Sequence, residues 1–429
     1  MTNLIFRQNL SIQETIAQMQ ESAAFDIGEG DRMANGDYAG VIPLISNIKA
    51  KAAAPTAPKV FVSNDCVFNC EYCNCRISQD KSRYTNSPKA VADISMKMAK
   101  EDNCGVFITS AIYRNADYTE ELILETLKEI RYGHGYKGYV HAKIMPGVDP
   151  LLIRQVGFLA DRVSVNIEFT HSDAYKILAK QKNKNNILSP MAYVRNLHKE
   201  INPKRGLKER SELGRTFAPA GQTTQMMVGA MNETDRTIAV LAESLYKKYE
   251  MKRVYYSPFG PPYESEKFSN KKTPQWRGRR LYQADRLMAI YGMTAEEILP
   301  ESAPFLDFDV DPKASYALRN IGMFPVEVNT ADYEMLIRVP GIGTTSAQKI
   351  VVARKHTKIT HDLLKKMRVS LKKSIYFITC NGKYYGGGLL GKDHLRNRLW
   401  ADEFVHMQGM EQMSMLNTHL LPIDYDVSV

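Results

Sequence analysis

Three cysteines stand close together in the run Cys66-Val-Phe-Asn-Cys70-Glu-Tyr-Cys73. Thiolates gathered at this spacing suit metal ligation better than a disulfide framework, and three of them can hold three irons of a [4Fe–4S] cluster. The fourth iron is then left without a protein ligand, and an open iron is where chemistry can happen. Cys75 follows at once and keeps two other readings open: a four-cysteine zinc site, and a cluster ligated by cysteine throughout. Structural zinc usually joins two separated ligand pairs. The remaining cysteines, Cys104 and Cys380, are isolated and supply no second pair.

The elements that would position this run can be read from hydrophobic periodicity. Strand-like runs occur at 60–64, 105–110, 138–145, 162–169, 223–230 and 253–259, with helical patterns between most of them, such as 119–132 and 236–249. Strands alternating with helical crossovers indicate a parallel sheet, open or curled into a partial barrel. Strands covered on both faces should be almost uniformly apolar. Here Val163, Val165, Ile167 and Phe169 alternate with Ser164, Asn166 and Glu168, and His141 and Lys143 oppose Val140, Ala142 and Ile144. A polar chamber inside a partial barrel explains why more than one strand alternates. Cys66, Ser110 and Glu168 fall at the C-terminal ends of strands, where barrels carry their active sites.

The three-then-two cysteine spacing, with the aromatic Tyr72 before the last cysteine, resembles the radical S-adenosylmethionine (radical SAM) enzymes. The resemblance implies a partial (β/α)6 barrel of radical SAM type, a [4Fe–4S] cluster on Cys66, Cys70 and Cys73, and cleavage of SAM to a 5′-deoxyadenosyl radical. It implies that Tyr72 lies against the adenine, and that Ser110, Asn166 and Glu168 contact the amino, ribose or carboxylate groups of SAM. The glycines common after the second strand are replaced here by Thr109-Ser110-Ala111-Ile112. Gln225, with Thr223 on the same face, and Gly229 are further candidates for the SAM site.

A second motif, Val339-Pro340-Gly341-Ile342-Gly343 followed by Ala347, Lys349 and Ile350, resembles a helix-hairpin-helix DNA-binding motif. Helices are expected over 332–339 and 344–354, with Gly341 and Gly343 freeing the backbone to turn and approach a phosphate. Such contacts position a nucleic acid backbone and carry little base information. Lys349, Arg354 and Lys355 add charge nearby. A helical pair turning within a core, or a protein contact, is the competing reading. The order of the two motifs, with the stretch 306–319 between them, resembles bacterial radical SAM proteins of DNA modification or repair. That resemblance implies DNA as the substrate, a uracil-DNA glycosylase-like partner and an electron donor. Tyr113, Tyr255 and Tyr256 are candidates to stack on a base or relay a radical. An RNA-modifying radical SAM enzyme and a non-catalytic DNA-binding protein with a structural metal are the alternatives.

The expected organisation is an N-terminal helical extension (1–54), a partial barrel (55–290), a linker with the helix-hairpin-helix unit (291–360) and a basic C-terminal region (361–429). A strand is expected over 372–380, and no internal repeat is evident. Lys and Arg number 57 against 47 Asp and Glu, a net charge of +10 that alone says little about a polyanionic partner. Lys271, Lys272, Arg277, Arg279, Arg280 and Arg286 cluster, as do Lys365, Lys366, Arg368, Lys372 and Lys373, and solvated helix faces would explain both groups. Cysteine usage and the lack of a long apolar run lead to an expected cytoplasmic location.

Overall fold

The computed structural model describes residues 57, 59–101, 105–201, 214–387 and 391–400. The helical extension expected over 1–54 and Cys104 lie outside the described residues. The described chain divides into two compact units. The first holds the residues up to Glu233 together with Leu241–Gly278; the second holds Thr234–Val240 and the residues from Arg279 onward. Among the described residues, no helix is long and apolar enough to cross a membrane.

The first unit is an α/β fold around six parallel strands: β1 (Lys59–Phe61), β2 (Val106–Thr109), β3 (Val140–Lys143), β4 (Arg162–Ser164), β5 (Gln222–Val228) and β6 (Arg253–Pro258). They pair in sequence order, each parallel to the next. Parallel neighbours need crossovers. These are helices α1 (Pro88–Glu101), α2 (Ala116–Lys128), α3 (Pro150–Leu159), α4 (Ser172–Leu178), α5 (Lys184–Ile201) and α6 (Asp235–Tyr249), whose residues up to Val240 belong to the other unit. Local chemistry sets their starts: the Asn115 side chain accepts from Tyr118 N–H before α2, and Asp149 caps α3 ahead of Pro150. At the far end of α2 a π turn, Glu129–Gly133, brings in Arg131, which donates to the carbonyls of Leu159, Tyr136 and Gly138 and to Asp161.

Register sorts the strand residues by face. Val60, Ile108, Ala142, Val163 and Val254 are fully buried on one side. On that side Gln222 donates to the carbonyls of Met191 and Tyr249 from the covering helices. Phe61, Thr109, Lys143, Gln225, Met227 and Ser257 lie on the other side and line one cavity. Both edge strands contribute to that cavity, so the sheet curls around it as a partial barrel. The polar alternation on β3 is borne out, with Lys143 facing the cavity and His141 buried beside Ser164 (Nε2 to Oγ, 2.9 Å).

Each of the six strands is shorter than its expected run, the fourth most of all. The fourth run, expected over 162–169, leaves the ladder after Ser164. The Thr224 hydroxyl, instead of a backbone carbonyl, accepts the N–H of Ile167 (2.8 Å), and Glu168 adopts a left-handed backbone (φ 61°). Glu168 then touches the sheet by a single bridge to Met226.

In the second unit a small sheet pairs β7 (Val326–Glu327) in parallel with β8 (Ile378–Cys380), and β8 antiparallel with β9 (Lys383–Tyr384). Around it lie α7 (Gln275–Tyr291), whose first turn belongs to the other unit, α8 (Ala295–Ile298), α9 (Pro312–Arg319), α10 (Tyr333–Arg338), α11 (Thr344–Ala353), α12 (His361–Lys366) and α13 (Leu371–Ser374). The expected helices over 332–339 and 344–354 are α10 and α11, with Asp332 and Val339 as the caps of α10. Leu336, Val339, Ala347, Ile350 and Ile359 form the core between them.

Two expectations are corrected here. Residues 372–374 belong to helix α13, and only Ile378–Cys380 of the expected strand is extended. The segment is the second half of another helical hairpin, α12–α13, so the unit does contain an internal repeat. Arg368 occupies the turn position of Gly341, and both have left-handed backbones (φ 62° and 86°). Ser374 and Phe377 match the buried Ala347 and Ile350. The repeat is hidden in sequence because Met367-Arg368-Val369-Ser370 stands where the first hairpin has Pro340-Gly341-Ile342-Gly343.

Candidate functional site

The cysteine loop follows β1 directly and is tied down at several points. Arg83 donates to four backbone carbonyls, those of Asn64 (2.8 Å), Cys75 (2.9 Å), Arg76 (2.6 Å) and Gln79 (2.9 Å). Glu71 receives the Tyr263 hydroxyl and the Lys267 ammonium (2.5 Å), and its N–H donates to Leu178 O. Val67 N–H donates to Ile112 O (2.8 Å), joining the loop to the segment after β2. A loop carrying ligands needs such fastening, because unfixed backbone would let the thiolates spread.

Cys66, Cys70, Cys73 and Cys75 all line the cavity at the C-terminal ends of the strands. All four are free cysteines. Burial pushes the Cys66 thiol up and the Cys70 thiol up to about 12. Cys73 differs: a hydrogen bond from the Cys75 thiol brings it down to about 7, while the same bond and burial raise Cys75. Backbone N–H groups also point at two sulfurs, Phe68 N–H at Cys66 (3.4 Å) and Cys75 N–H at Cys73 (3.3 Å). Hydrogen bonds to sulfur of this kind tune iron–sulfur clusters. Among the described residues, no three His, Cys, Asp or Glu side chains are grouped as a site for a single metal ion.

The other expected site residues fall on the same cavity. Tyr72, Ser110, Asn166 and Glu168 line it, together with Gln225. Tyr72 packs edge-on against Phe169 (5.3 Å between centroids). Glu168 forms a buried ion pair with Lys182 (2.7 Å), and Lys182 also donates to the Tyr72 hydroxyl (3.1 Å). Burial opposes the charge on Lys182, but the adjacent Glu168 carboxylate outweighs it and holds the ammonium above its usual range. A charged pair can persist here because each charge neutralises the other.

Gly229 does not line the cavity. Its left-handed backbone (φ 84°) leaves room for Thr273, whose hydroxyl stands where a Cβ would be. Tyr255 and Tyr256 are buried on opposite faces of β6 (6% and 1% exposed) and cannot stack on an incoming base. Lys143 and Lys182 were not singled out as site residues by sequence. Lys182 sits in Lys180-Gln-Lys182-Asn-Lys184, which reads as a solvated face, so only the fold reveals it.

In the second unit the two hairpin glycines do different work. At Gly341 a Cβ would meet Ser370 O (2.4 Å) and Ser374 N (3.0 Å), so this glycine packs against the second hairpin and does not face open space. Ser370 N–H returns a bond to Gly341 O (3.1 Å). At Gly343, the N-terminus of α11, a Cβ would meet, among the described residues, the Tyr291 hydroxyl (3.6 Å). Lys313 donates to Ile342 O (2.5 Å) and braces the turn from below. Lys349, Lys355, Lys365, Lys366, Arg368 and Lys372 are exposed. Arg354, expected to add charge, donates instead to the carbonyls of Val328 and Ala331. Lys373 is paired with Asp311 (2.6 Å), and Arg280 is buried with its guanidinium on Asp307 O and Phe308 O. Cys380 lies in the core of this unit.

Comparison with known proteins adds two findings. Residues 324–372 match the family model of the helix-hairpin-helix motif, a span that includes both hairpins up to the start of α13. The chain is similar in structure to HydG, a maturase of the [FeFe]-hydrogenase, with a TM-score of 0.41 and 15% identity over 65% of this chain and 60% of that one. HydG from Carboxydothermus hydrogenoformans gives 0.39 and 15%, covering 65% and 70%. The radical SAM methyltransferase TsrM from Kitasatospora setae gives 0.33 and 11%, covering 47% and 36%. The chain thus spans about three fifths of the length of the first of these proteins. No curated protein matches it in sequence.

Proposed function

We propose that the chain is a radical SAM enzyme that acts on DNA, with Cys66, Cys70 and Cys73 as the ligands of a [4Fe–4S] cluster. The observation that carries this reading is the convergence of those three thiols on one cavity at the C-terminal ends of a curled parallel sheet. When bound, such a cluster supplies one electron to SAM and releases a 5′-deoxyadenosyl radical, the chemistry that belongs to the cofactor.

The chain's own residues do the rest. Tyr72 offers an aromatic wall for the adenine, and Ser110 and Asn166 offer hydrogen bonds to the polar groups of SAM. Glu168, braced by Lys182, presents a carboxylate whose orientation is fixed before any ligand arrives. Apolar side chains of the same cavity, Phe61, Ile112, Met145, Val165, Met227 and Phe259, exclude water from a reactive species. Cys75 shares a hydrogen bond with Cys73 and is read as a neighbour of the cluster and not a ligand.

DNA is the substrate favoured by the second unit. Gly343 starts α11 with no side chain capping its first amides, Lys349 lies exposed on the same helix, and Gly341 shapes the turn. Electrostatic contacts of this kind hold a backbone without reading bases.

Anaerobic reconstitution tests the enzyme. Iron near four per chain, and 5′-deoxyadenosine formed on reduction with SAM, are expected. A chain that takes up zinc and no iron would sink the reading. Cys75→Ala is expected to keep most of its iron; loss of the iron would make Cys75 a ligand. Titrating matched DNA and RNA duplexes across a salt series separates the DNA reading from an RNA one, and stronger binding to RNA throughout would reverse the assignment.

A further inference from the structure

Past the cavity wall at Ala111 and Ile112 the chain turns sharply, and its next residues form a small stack. The Arg114 guanidinium lies over two tyrosine rings, 5.2 Å from the centroid of Tyr113 and 4.7 Å from that of Tyr118. The two rings are 6.0 Å apart and tilted by 54°. Arg114 is exposed and both tyrosines are half-buried.

The base of this stack is tied together by hydrogen bonds. Tyr113 N–H donates to the Thr119 hydroxyl (2.9 Å), which is fully buried and itself donates to Asn115 O (2.7 Å) or Tyr113 O (2.9 Å). Asn115 N–H closes on Tyr113 O (2.7 Å), and the Asn115 side chain caps α2. Ile112 O accepts from Val67 of the cysteine loop, so the stack and the loop are joined by one hydrogen bond.

The backbone at Arg114 is left-handed (φ 60°), where glycine would serve the turn without strain. A long side chain kept in such a conformation is explained if its position matters. Arginine planes and tyrosine faces are the surfaces on which unpaired bases stack, and the guanidinium also attracts a phosphate.

We propose that Tyr113, Arg114 and Tyr118 form a stacking platform for an unpaired nucleotide beside the reaction cavity. The proposal rests on the reading of the chain as a nucleic-acid enzyme and adds where the nucleotide is held. A duplex would dock there only with a base displaced from its stack, which links the platform to extrusion of the target.

The test uses the full chain and a labelled single-stranded DNA oligonucleotide with a central 2-aminopurine. Wild type is expected to bind it and quench the 2-aminopurine. Tyr118→Ala and Arg114→Gly are each expected to weaken binding about tenfold, within the range measured for base–aromatic stacking, and to lose the quenching. Arg114→Gly is compatible with folding, since glycine accepts this backbone freely. Tyr118→Phe keeps the ring and should behave as wild type. If wild type binds and quenches while both disruptive variants do the same, the platform is wrong and the nucleic-acid reading survives. If wild type binds neither this oligonucleotide nor duplex DNA, that reading fails and the platform with it.

Discussion

At the scale of single residues, the site is set by which charges and protons are held where. Lys182 and Glu168 are both largely buried (side chains 14% and 7% exposed) and satisfy each other. Lys182→Met should therefore cost about 3–5 kcal/mol in urea denaturation, because it strands the carboxylate, and adding Glu168→Gln should recover part of that loss. An unchanged midpoint in the single variant would show that the pair is not needed for stability. Glu120, fully buried on α2, accepts from Met145 N–H (2.8 Å) beside the cavity. Burial pushes its carboxyl up to about 8 from an ordinary 4.5. The fold thus keeps a proton that the unfolded chain loses, so the unfolded state binds fewer protons across this window. Stability from this group is present in full below 4.5 and declines as pH rises through about 8. Glu120→Gln should flatten that part of the profile of melting temperature against pH. A profile identical to wild type would count against a protonated Glu120. The cysteine spacing was legible in sequence because three ligands share one loop. Lys182 was not, since its partner is fourteen residues away on a segment that leaves the sheet.

At the scale of elements, two departures from regular structure do most of the positioning. The fourth strand ends after Ser164, and beyond its end Val165, Asn166 and Glu168 all line the cavity. Period-two alternation put Asn166 and Glu168 on one face but could not show that the ladder stops. In the second unit, Gly341 is where two hairpins meet. Gly341→Ala combines a left-handed backbone with a Cβ driven against Ser370 O, and should destabilise this unit by at least about 2 kcal/mol. Hydrogen exchange localised to 340–343 and 370–374 would report it; wild-type protection there would mean the hairpins do not depend on this contact. The first hairpin was readable from its glycines. Its repeat was hidden because an arginine takes a backbone conformation that sequence reading assigns to glycine.

At the scale of the whole molecule, each unit carries one part of the proposed activity. The first has a cavity with four cysteines of one loop on its wall, and the second has an exposed basic helical surface. If that surface holds a DNA backbone, Lys349→Ala should weaken binding by a similar factor for all sequences. The dependence of log K on log salt should then fall by about one unit of slope, since one phosphate contact is lost. An unaltered slope would remove Lys349 from the interface.

The sequence by itself determined the order of the six parallel strands and their helical crossovers, the three-cysteine loop after the first strand and the first helical hairpin. All of these are local: hydrophobic period, ligand spacing and turn residues act over a few positions. Only the tertiary structure decided that Cys75 donates to Cys73, that Lys182 braces Glu168 and Tyr72, and that Gly341 is occupied by a second hairpin. It also removed Tyr255 and Tyr256 from contact with a base and brought Arg114 between two tyrosines. Contacts of that kind depend on how a curled sheet and its loops bring distant residues together, and no spacing along the chain encodes them directly.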